Sequence, residues 1–266
     1  MVTCRYLCDG PASGAWNMAV DEALLESAAE RGVATLRFYG WSEPTLSLGY
    51  FQPLGDREAH PASRNCPVVR RSSGGGAILH DRELTYSLAV PRPSNSLPRQ
   101  SLSGPRSAAG TRSSTWLYAA VHDALVTVLA ATGITAHRAL EGTKPSSGPQ
   151  PFLCFERRAE HDVLLDSAEF AGAKIAGSAQ RRHRDATLQH GSLLLARSPL
   201  APELPGIQDL RDVSATPEAI QQAWASAIEG RIEHPLQSAQ LLQSEIDRAR
   251  EILQVRYGNA AWTHRR

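Results

Sequence analysis

A chain of 266 residues with 42% hydrophobic side chains is long enough to bury a large core, so we expect a globular protein. Its 28 basic and 27 acidic residues nearly cancel, which excludes a global field that would attract nucleic acid or an anionic membrane surface. The N-terminus has no charged head followed by an apolar core, and no run approaches the roughly 18 apolar residues that span a bilayer, so we predict a cytoplasmic location.

The first half of the chain combines one helix with several β-rich runs. Residues 14–31 place apolar side chains at helical spacing, and Gly32 follows as a stop signal. Runs rich in β-branched and aromatic residues then follow at 35–39, 45–51, 67–71, 77–80 and 84–90. Because glycine, proline or charged turn residues separate several of these runs, they predict the strands of a sheet.

The second half begins with a segment of proline, serine, arginine and glycine at 91–114, which predicts a surface loop. A second helix is predicted at 115–132, ending at Gly133. Three runs, HDVLLD, AKIAGSAQRR and ATLQHGSLLLA, lie close enough together to predict a meander of strands. Two further helices are predicted at about 216–229 and 238–257.

Positive charge in this chain is carried almost entirely by arginine. There are 26 arginines and only two lysines, Lys144 and Lys174. A lysine can change its protonation state, whereas an arginine stays charged, so a retained lysine is a candidate for chemistry. Lys144 lies in the loop-like run EGTKPSSGPQ, which leaves Lys174 as the more informative residue.

A glycine-rich turn is the first candidate for ligand binding. The run RRSSGGGAILHD, residues 70–81, contains three successive glycines, which let the backbone approach a ligand and aim several N–H groups at one oxygen. It has neither the P-loop spacing nor a GxGxxG pattern, and a plain hairpin turn would explain the triplet equally well. Arg70 and His80 flank the turn and add polar groups.

Cys154 is the candidate nucleophile. The four cysteines lack the paired CxxC spacing of a zinc site, so we expect reduced thiols and no metal. A free thiol with a pKa near 8.5 is about 3% thiolate at neutral pH, and a nearby ammonium such as that of Lys174 would raise this fraction. A cysteine between Leu153 and Phe155 also fits a packing role, so the residues alone leave both interpretations open.

Eight runs occur in an order that resembles one known family. They are WNMAVDEALL, TLRFYGW, TLSLGYFQ, RRSSGGGAILHDRELTYS, LCF, HDVLL, AKIAGSAQRR and LQHGSLLL, and they cover about residues 14–195. In this order they resemble the lipoate-protein ligase and octanoyltransferase family, whose distant relatives are the biotin-protein ligases. The resemblance implies an α/β catalytic domain over 1–205, with a mixed central sheet flanked by helices, and a short helical C-terminal extension over 206–266.

Within this family, the LipM-type octanoyltransferases resemble the chain more than the ligases do. They share the cysteine followed by phenylalanine at Cys154, the lysine run at Lys174 and the LQHGS segment. The resemblance implies that Cys154 attacks the octanoyl thioester of acyl carrier protein and that Lys174 assists. It implies no metal and no other cofactor. Substrate-binding residues are expected to be Arg70, Gly74, Gly75, Gly76, His80, Gly177, Ser178 and His190.

The acceptor implied by the resemblance is a lysine of a lipoyl domain, such as the glycine cleavage H protein or the E2 subunit of a 2-oxoacid dehydrogenase. Two alternatives stay open. Gly76 completes a ligase-like GGG where transferases of this type often have arginine, so the second hypothesis is an ATP-dependent lipoate-protein ligase in which Cys154 is a bystander. The third is a non-catalytic subunit that only binds lipoyl domains.

Several side chains near the motifs have more than one interpretation. His80 and His190 fit structural hydrogen bonding as well as substrate binding. Asp162 either orients Lys174 or begins a strand. The run RRHR at 181–184 predicts a solvated hairpin tip, or a surface for an acidic carrier protein. The aromatic residues expected in the core or lining a tunnel are Trp41, Tyr50 and Phe51.

Overall fold

The computed structural model of the chain describes residues 3–91, 115–140, 150–167 and 172–266. The strands in these ranges are β1 Cys4–Ala12, β2 Ala34–Trp41, β3 Thr45–Leu48, β4 Val68–Arg70, β5 Ile78–His80, β6 Glu83–Pro91, β7 Ala136–Arg138, β8 Val163–Leu165, β9 Ala173–His183, β10 Ala186–Leu194 and β11 Leu236–Ser238. The helices are α1 Gly14–Arg31, α2 Trp116–Ala131, α3 Ile207–Leu210, α4 Pro217–Ile232, α5 Gln243–Ile252 and α6 Ala260–Thr263. The predicted loop after Pro91 and the Lys144 segment lie outside the described residues.

The strands form one large mixed sheet and one small sheet. The large sheet has the order β11-β1-β2-β6-β10-β9-β8-β7, in which β11, β1 and β2 are parallel and all later neighbours are antiparallel. The predicted meander is confirmed as β8-β9-β10. The small sheet has the order β4-β3-β5. The predicted mixed α/β fold is therefore confirmed.

Helices cover both faces of the large sheet. On one face α2 and α4 pack around a core that includes Phe38, Tyr86 and Trp224. On the other face α1 and α5 pack together over a second apolar core. Helix α1 ends as predicted, because Gly32 adopts a φ of 68° and donates its N–H to the Ala28 carbonyl. No helix in the described residues is long and apolar enough to cross a membrane.

A bulge in β9 decides which of its side chains enter the core under α2 and α4. The pairing of β8 with β9 shifts between Val163 and Leu164, so that Ala176 and Lys174 are their respective partners. Ile175 and Ala176 consequently both join the core under α2 and α4, although side chains normally alternate along a strand. Lys174 points to the opposite face, and after the bulge Gly177 faces the same way.

Two element boundaries differ from the sequence prediction. The strand predicted at 45–51 ends at Leu48, because Gly49 lies against the backbone of Gly75 and the chain turns there. Phe51 is therefore 68% exposed and is not a core residue. The helix predicted at 238–257 begins at Gln243, because residues 236–238 pair with β1, and it continues after α5 as a π-helical segment over 253–257.

Candidate active site

Cys154 is held next to the glycine-rich turn by two backbone hydrogen bonds. The Ala77 N–H donates to the Phe152 carbonyl at 3.1 Å, and the Cys154 N–H donates to the Ala77 carbonyl at 2.7 Å. The chain then enters a short 3₁₀ turn over Cys154–Glu156. A Cβ on Gly76 would lie 3.0 Å from the Cys154 Cα, so a glycine here lets the two segments approach closely.

Lys174 reaches Cys154 from β9. Its Nζ lies 3.6 Å from the Cys154 Sγ, 3.2 Å from the Cys154 carbonyl oxygen and 2.9 Å from the Asp162 Oδ2. Lys174 is only 5% exposed, and a Cβ on Gly177 would lie 2.6 Å from its Cε. Burial raises the pKa of Asp162, while the Lys174 ammonium opposes this shift. The structure therefore places the Lys174 amine between the Cys154 thiol and the Asp162 carboxyl group.

A largely apolar cleft, partly open to solvent, is lined at one point by Cys154. Of the predicted site residues, Cys154, Gly74, Gly75, His80, Gly177, Ser178 and His190 line it. Gly76 and Lys174 contact Cys154 but are not part of the lining. Met18, Tyr39, Ile78 and Phe155 contribute apolar surface that the sequence alone did not assign to the site.

Arg70 is the predicted site residue that the structure does not bring to the cleft. Its guanidinium donates to the Thr263 carbonyl at 2.7 Å and to the Gln52 carbonyl at 2.5 Å, so it connects the small sheet to the C-terminal segment. Arg71 lines the cleft instead and donates to the Gly74 and Gly76 carbonyls at 3.2 and 2.8 Å. Burial lowers the pKa of Arg71 to about 10. Arg71 therefore fixes the shape of the glycine-rich turn.

His190 joins the glycine-rich turn to α1. Its Nε2 is hydrogen-bonded to the Ser73 hydroxyl at 2.5 Å, and its Nδ1 to the Asp21 carboxylate at 3.1 Å. Burial acts to raise the pKa of Asp21, but the hydrogen bond with His190 and the charge of Arg37 together hold this pKa below its ordinary value. Asp21 supports a residue of the cleft lining, and the sequence did not identify it. Its signal was a carboxylate on the apolar face of α1, between Met18 and Leu25.

We expect Asp21→Asn to lower the free energy of unfolding at neutral pH by about 3 kcal/mol, because it removes a buried anion from Arg37. Because the pKa of Asp21 is lowered in the folded protein, its carboxylate stabilises the fold at every pH above the unfolded-state pKa of about 3.9. This contribution is lost as the pH falls through the folded-state pKa. Wild type should therefore lose more stability than the variant on acidification below about pH 4. Urea unfolding at several pH values measures the free energy of unfolding of the wild type and the variant. Asp247→Asn, at an exposed position, is the control. An equal pH dependence of stability in all three proteins would contradict the prediction.

His80 is fixed by polar and aromatic neighbours at the other side of the cleft. Its Nε2 is hydrogen-bonded to the Ser47 hydroxyl at 2.6 Å and its Nδ1 to the Glu83 carboxylate at 2.5 Å. The Trp41 ring stacks on it with centroids 3.7 Å apart. Burial lowers the pKa of His80, so the ring favours its neutral form. Its contacts give His80 a structural role in addition to its place in the lining.

Ser178 belongs to a separate hydrogen-bond network behind the cleft wall. Its hydroxyl is hydrogen-bonded to the Tyr86 hydroxyl at 2.6 Å and to the His122 Nε2 at 2.5 Å. Burial lowers the pKa of His122 to about 4, which keeps that ring neutral at pH 7. Ser178 is therefore held in place by two side chains that the sequence reasoning did not connect to it.

The glycine-rich turn also depends on Gly49, where a Cβ would lie 2.0 Å from the Gly75 carbonyl oxygen. We expect Gly49→Ala to lower the free energy of unfolding by about 1–3 kcal/mol and to displace the turn from Cys154. Gly10→Ala is the matched control, because nothing lies within 4 Å of a Cβ at that position. Thermal unfolding and the rate of Cys154 alkylation measure the two effects. Identical behaviour of the two variants would contradict the prediction.

The chain is similar to known proteins over its whole length. Residues 13–201 match the model of the lipoyl protein ligase A/B catalytic domain. Octanoyltransferase LipM of Kyrpidia tusciae is 33% identical, with 100% of both chains covered, and octanoyltransferase LipM of Bacillus subtilis is 28% identical, with 99% of both covered. The fold is also similar to a chain from a solved structure of Thermoplasma acidophilum, described as a bipartite lipoate protein ligase and its E2 lipoyl domain. The two chains superpose with a TM-score of 0.71 at 18% identity, covering 99% of this chain and 97% of that chain. The chain therefore belongs to the family of the lipoyl protein ligase A/B catalytic domain.

Proposed function

We propose that the protein is an octanoyltransferase of protein lipoylation that works through a thioester on Cys154. The observation that carries the proposal is the 3.6 Å separation between the Cys154 Sγ and the Lys174 Nζ beside an apolar cleft. A thiol needs a base close by to act as a nucleophile, and Lys174 is the amine placed for that role. The full-length similarity to proteins named octanoyltransferase LipM supports the same activity.

In the first half-reaction, the Cys154 sulfur attacks the carbonyl carbon of the octanoyl thioester of acyl carrier protein. Lys174 passes one ammonium proton to the Asp162 carboxylate at 2.9 Å, whose pKa is raised by burial, and its neutral amine takes the proton of the thiol. Lys174 returns that proton to the carrier sulfur as the old C–S bond breaks. Backbone N–H groups around Gly74, Gly75 and Gly76 are the proposed donors to the tetrahedral oxyanion, where one such donor typically contributes about 3–4 kcal/mol. The product is octanoyl-Cys154 and a free carrier thiol.

In the second half-reaction, a lysine amine of a lipoyl domain attacks octanoyl-Cys154. The C–S bond breaks, an amide forms, and the proton lost by the attacking amine returns to the Cys154 sulfur through Lys174. The apolar cleft would hold the octanoyl chain between the two steps. Burial of its seven methylene and methyl carbons would contribute up to about 5–6 kcal/mol at roughly 0.8 kcal/mol each.

The proposed donor is octanoyl-acyl carrier protein, and the proposed acceptors are lipoyl domains such as the glycine cleavage H protein or the E2 subunit of a 2-oxoacid dehydrogenase. The carboxyl group of Asp162 would hold Lys174 in position during both steps, through its contact at 2.9 Å. The proposed chemistry needs neither a metal nor a nucleotide. The cytoplasmic location stays a prediction, as does the division between 1–205 and 206–266.

Intact-mass spectrometry of the wild-type protein tests the proposal. Mixing with octanoyl-acyl carrier protein, without ATP, should add one octanoyl group to the protein and then octanoylate an added lipoyl domain. The control reaction contains free lipoate, ATP and Mg²⁺ in place of the carrier thioester. Modification of the lipoyl domain only in the control reaction would identify an ATP-dependent ligase and reject the transferase. Lack of modification in both reactions would favour a subunit that only binds lipoyl domains.

A further inference from the structure

An exposed basic and aromatic surface lies beside the cleft and has no part in the chemistry proposed above. We call it the arginine patch, and its members are Tyr50, Phe51, Arg181, Arg265 and Arg266. Phe51 is 68% exposed, and all three arginines are exposed. The guanidinium carbons of Arg265, Arg181 and Arg266 lie 4.0, 5.9 and 5.9 Å from the centre of the Tyr50 ring. The aromatic ring of Tyr50 is thus surrounded by three positive charges.

The positive charge of the arginine patch is not balanced within the described part of the chain. None of its three guanidinium groups forms an ion pair with a carboxylate there, whereas the exposed Arg64, Arg248 and Arg250 each do. The hydrogen bond and charge of Arg265, together with the other two arginines, lower the pKa of Tyr50. In a chain of net charge +1, this is a local excess that an acidic partner could neutralise.

The arginine patch is attached directly to the elements that border the cleft. The Tyr50 N–H donates to the Ser73 carbonyl at 2.8 Å, next to the glycine-rich turn. Arg181 follows Ala179, a residue of the cleft lining, on β9. The Leu54 N–H donates to the Arg266 carbonyl at 2.9 Å, which ties the C-terminal segment to the same place. A protein bound to this surface would therefore lie at the rim of the cleft.

We propose that the arginine patch binds the acidic face of the carrier protein that delivers the octanoyl thioester. This inference rests on the proposed function. A carrier protein holds its thioester on a long flexible arm, so it can dock at the rim while the thioester reaches Cys154. An acceptor lysine is short and must approach Cys154 itself, which makes the donor the better fit. Arginines would accelerate the encounter, and Phe51 would supply the apolar contact at its centre.

The test is the rate of Cys154 octanoylation by octanoyl-acyl carrier protein, followed by rapid quenching and mass spectrometry. Two variants are compared with wild type. One is the double variant Arg181→Glu/Arg265→Glu, and the other is the single variant Phe51→Ser. We expect the double variant to react at least about tenfold more slowly than wild type at about 0.05 M salt, with the difference shrinking at about 0.5 M salt because exposed charges are then screened. Arg250→Glu on α5 is the matched control for a change of charge and should react like wild type.

A second donor, octanoyl-N-acetylcysteamine, carries the same thioester without any protein. Wild type and the patch variants should react with it at equal rates, which also shows that the variants are folded. If wild type reacts with neither donor, the proposed function fails. If the patch variants react with the carrier protein as wild type does, only the docking proposal fails. If they are slowed only in transfer to the lipoyl domain, the surface binds the acceptor and the donor assignment is wrong.

Discussion

Replacing Cys154 by alanine is expected to abolish the octanoyl adduct and to lower octanoyl transfer by at least about 10³-fold, because no other thiol can take its place. None of the other three cysteines lines the cleft: Cys4 is buried in β1, Cys8 lies in β1 and contacts Gln221, and Cys66 is half-buried. The measurement is intact mass after mixing with octanoyl-acyl carrier protein, combined with the initial rate of lipoyl-domain octanoylation.

Cys66→Ala is the matched control, because it removes a partly buried thiol in the described structure without touching the cleft. It should keep both the adduct and the transfer rate. The alanine at 154 removes only one sulfur atom, so thermal unfolding should show a folded protein. An octanoyl adduct of undiminished yield in Cys154→Ala would mean that another residue is the nucleophile.

Replacing Lys174 by methionine is expected to lower the rate of Cys154 octanoylation by about 10²–10⁴-fold, the range typical of a lost general acid–base group. Methionine keeps much of the buried volume but cannot accept or return a proton. Lys174→Arg should not restore the rate, because a guanidinium stays protonated and its planar group does not match the site of a compact ammonium. Rapid-quench octanoylation with octanoyl-N-acetylcysteamine measures the chemical step without carrier binding.

Asp162 provides the control for stability in that experiment. Without Lys174, its buried carboxylate loses the cation at 2.9 Å and would destabilise the fold while ionised. The double variant Lys174→Met with Asp162→Asn removes that charge and should recover thermal stability but not activity. Recovery of the octanoylation rate together with stability would show that Lys174 acts only as a structural partner of Asp162.

Much of the fold was predictable because local signals and tertiary structure agree. Helix α1 has an apolar face and a glycine stop, and the β8-β9-β10 meander is encoded by three runs with short turns between them. The strand β11 was not predictable, because its three residues are stabilised by pairing with β1, more than 200 residues earlier in the chain. The exposure of Phe51 was missed for a similar reason, since the turn at Gly49 depends on contact with Gly75.

For the candidate site, the sequence identified the proposed nucleophile and its lysine neighbour but not the residues that support them. Cys154 and Lys174 stood out by residue type and by resemblance, and the structure places them in contact. Arg70 and Arg71 are adjacent and chemically identical. Because side chains alternate at the end of β4, Arg70 contacts the C-terminal segment and Arg71 lines the cleft. Residue type cannot supply that distinction.

The bulge in β9 makes the spacing along this strand as important as its composition. Because the bulge adds one residue, Lys174 and Gly177 face the same way although they lie three positions apart. Deleting Ile175 would restore regular alternation and leave both facing the same way, whereas inserting one residue between them would turn them to opposite faces. Insertions in the connecting loops leave that spacing unchanged. Insertions in engineered versions of this enzyme should therefore be tolerated in loops and excluded between positions 174 and 177.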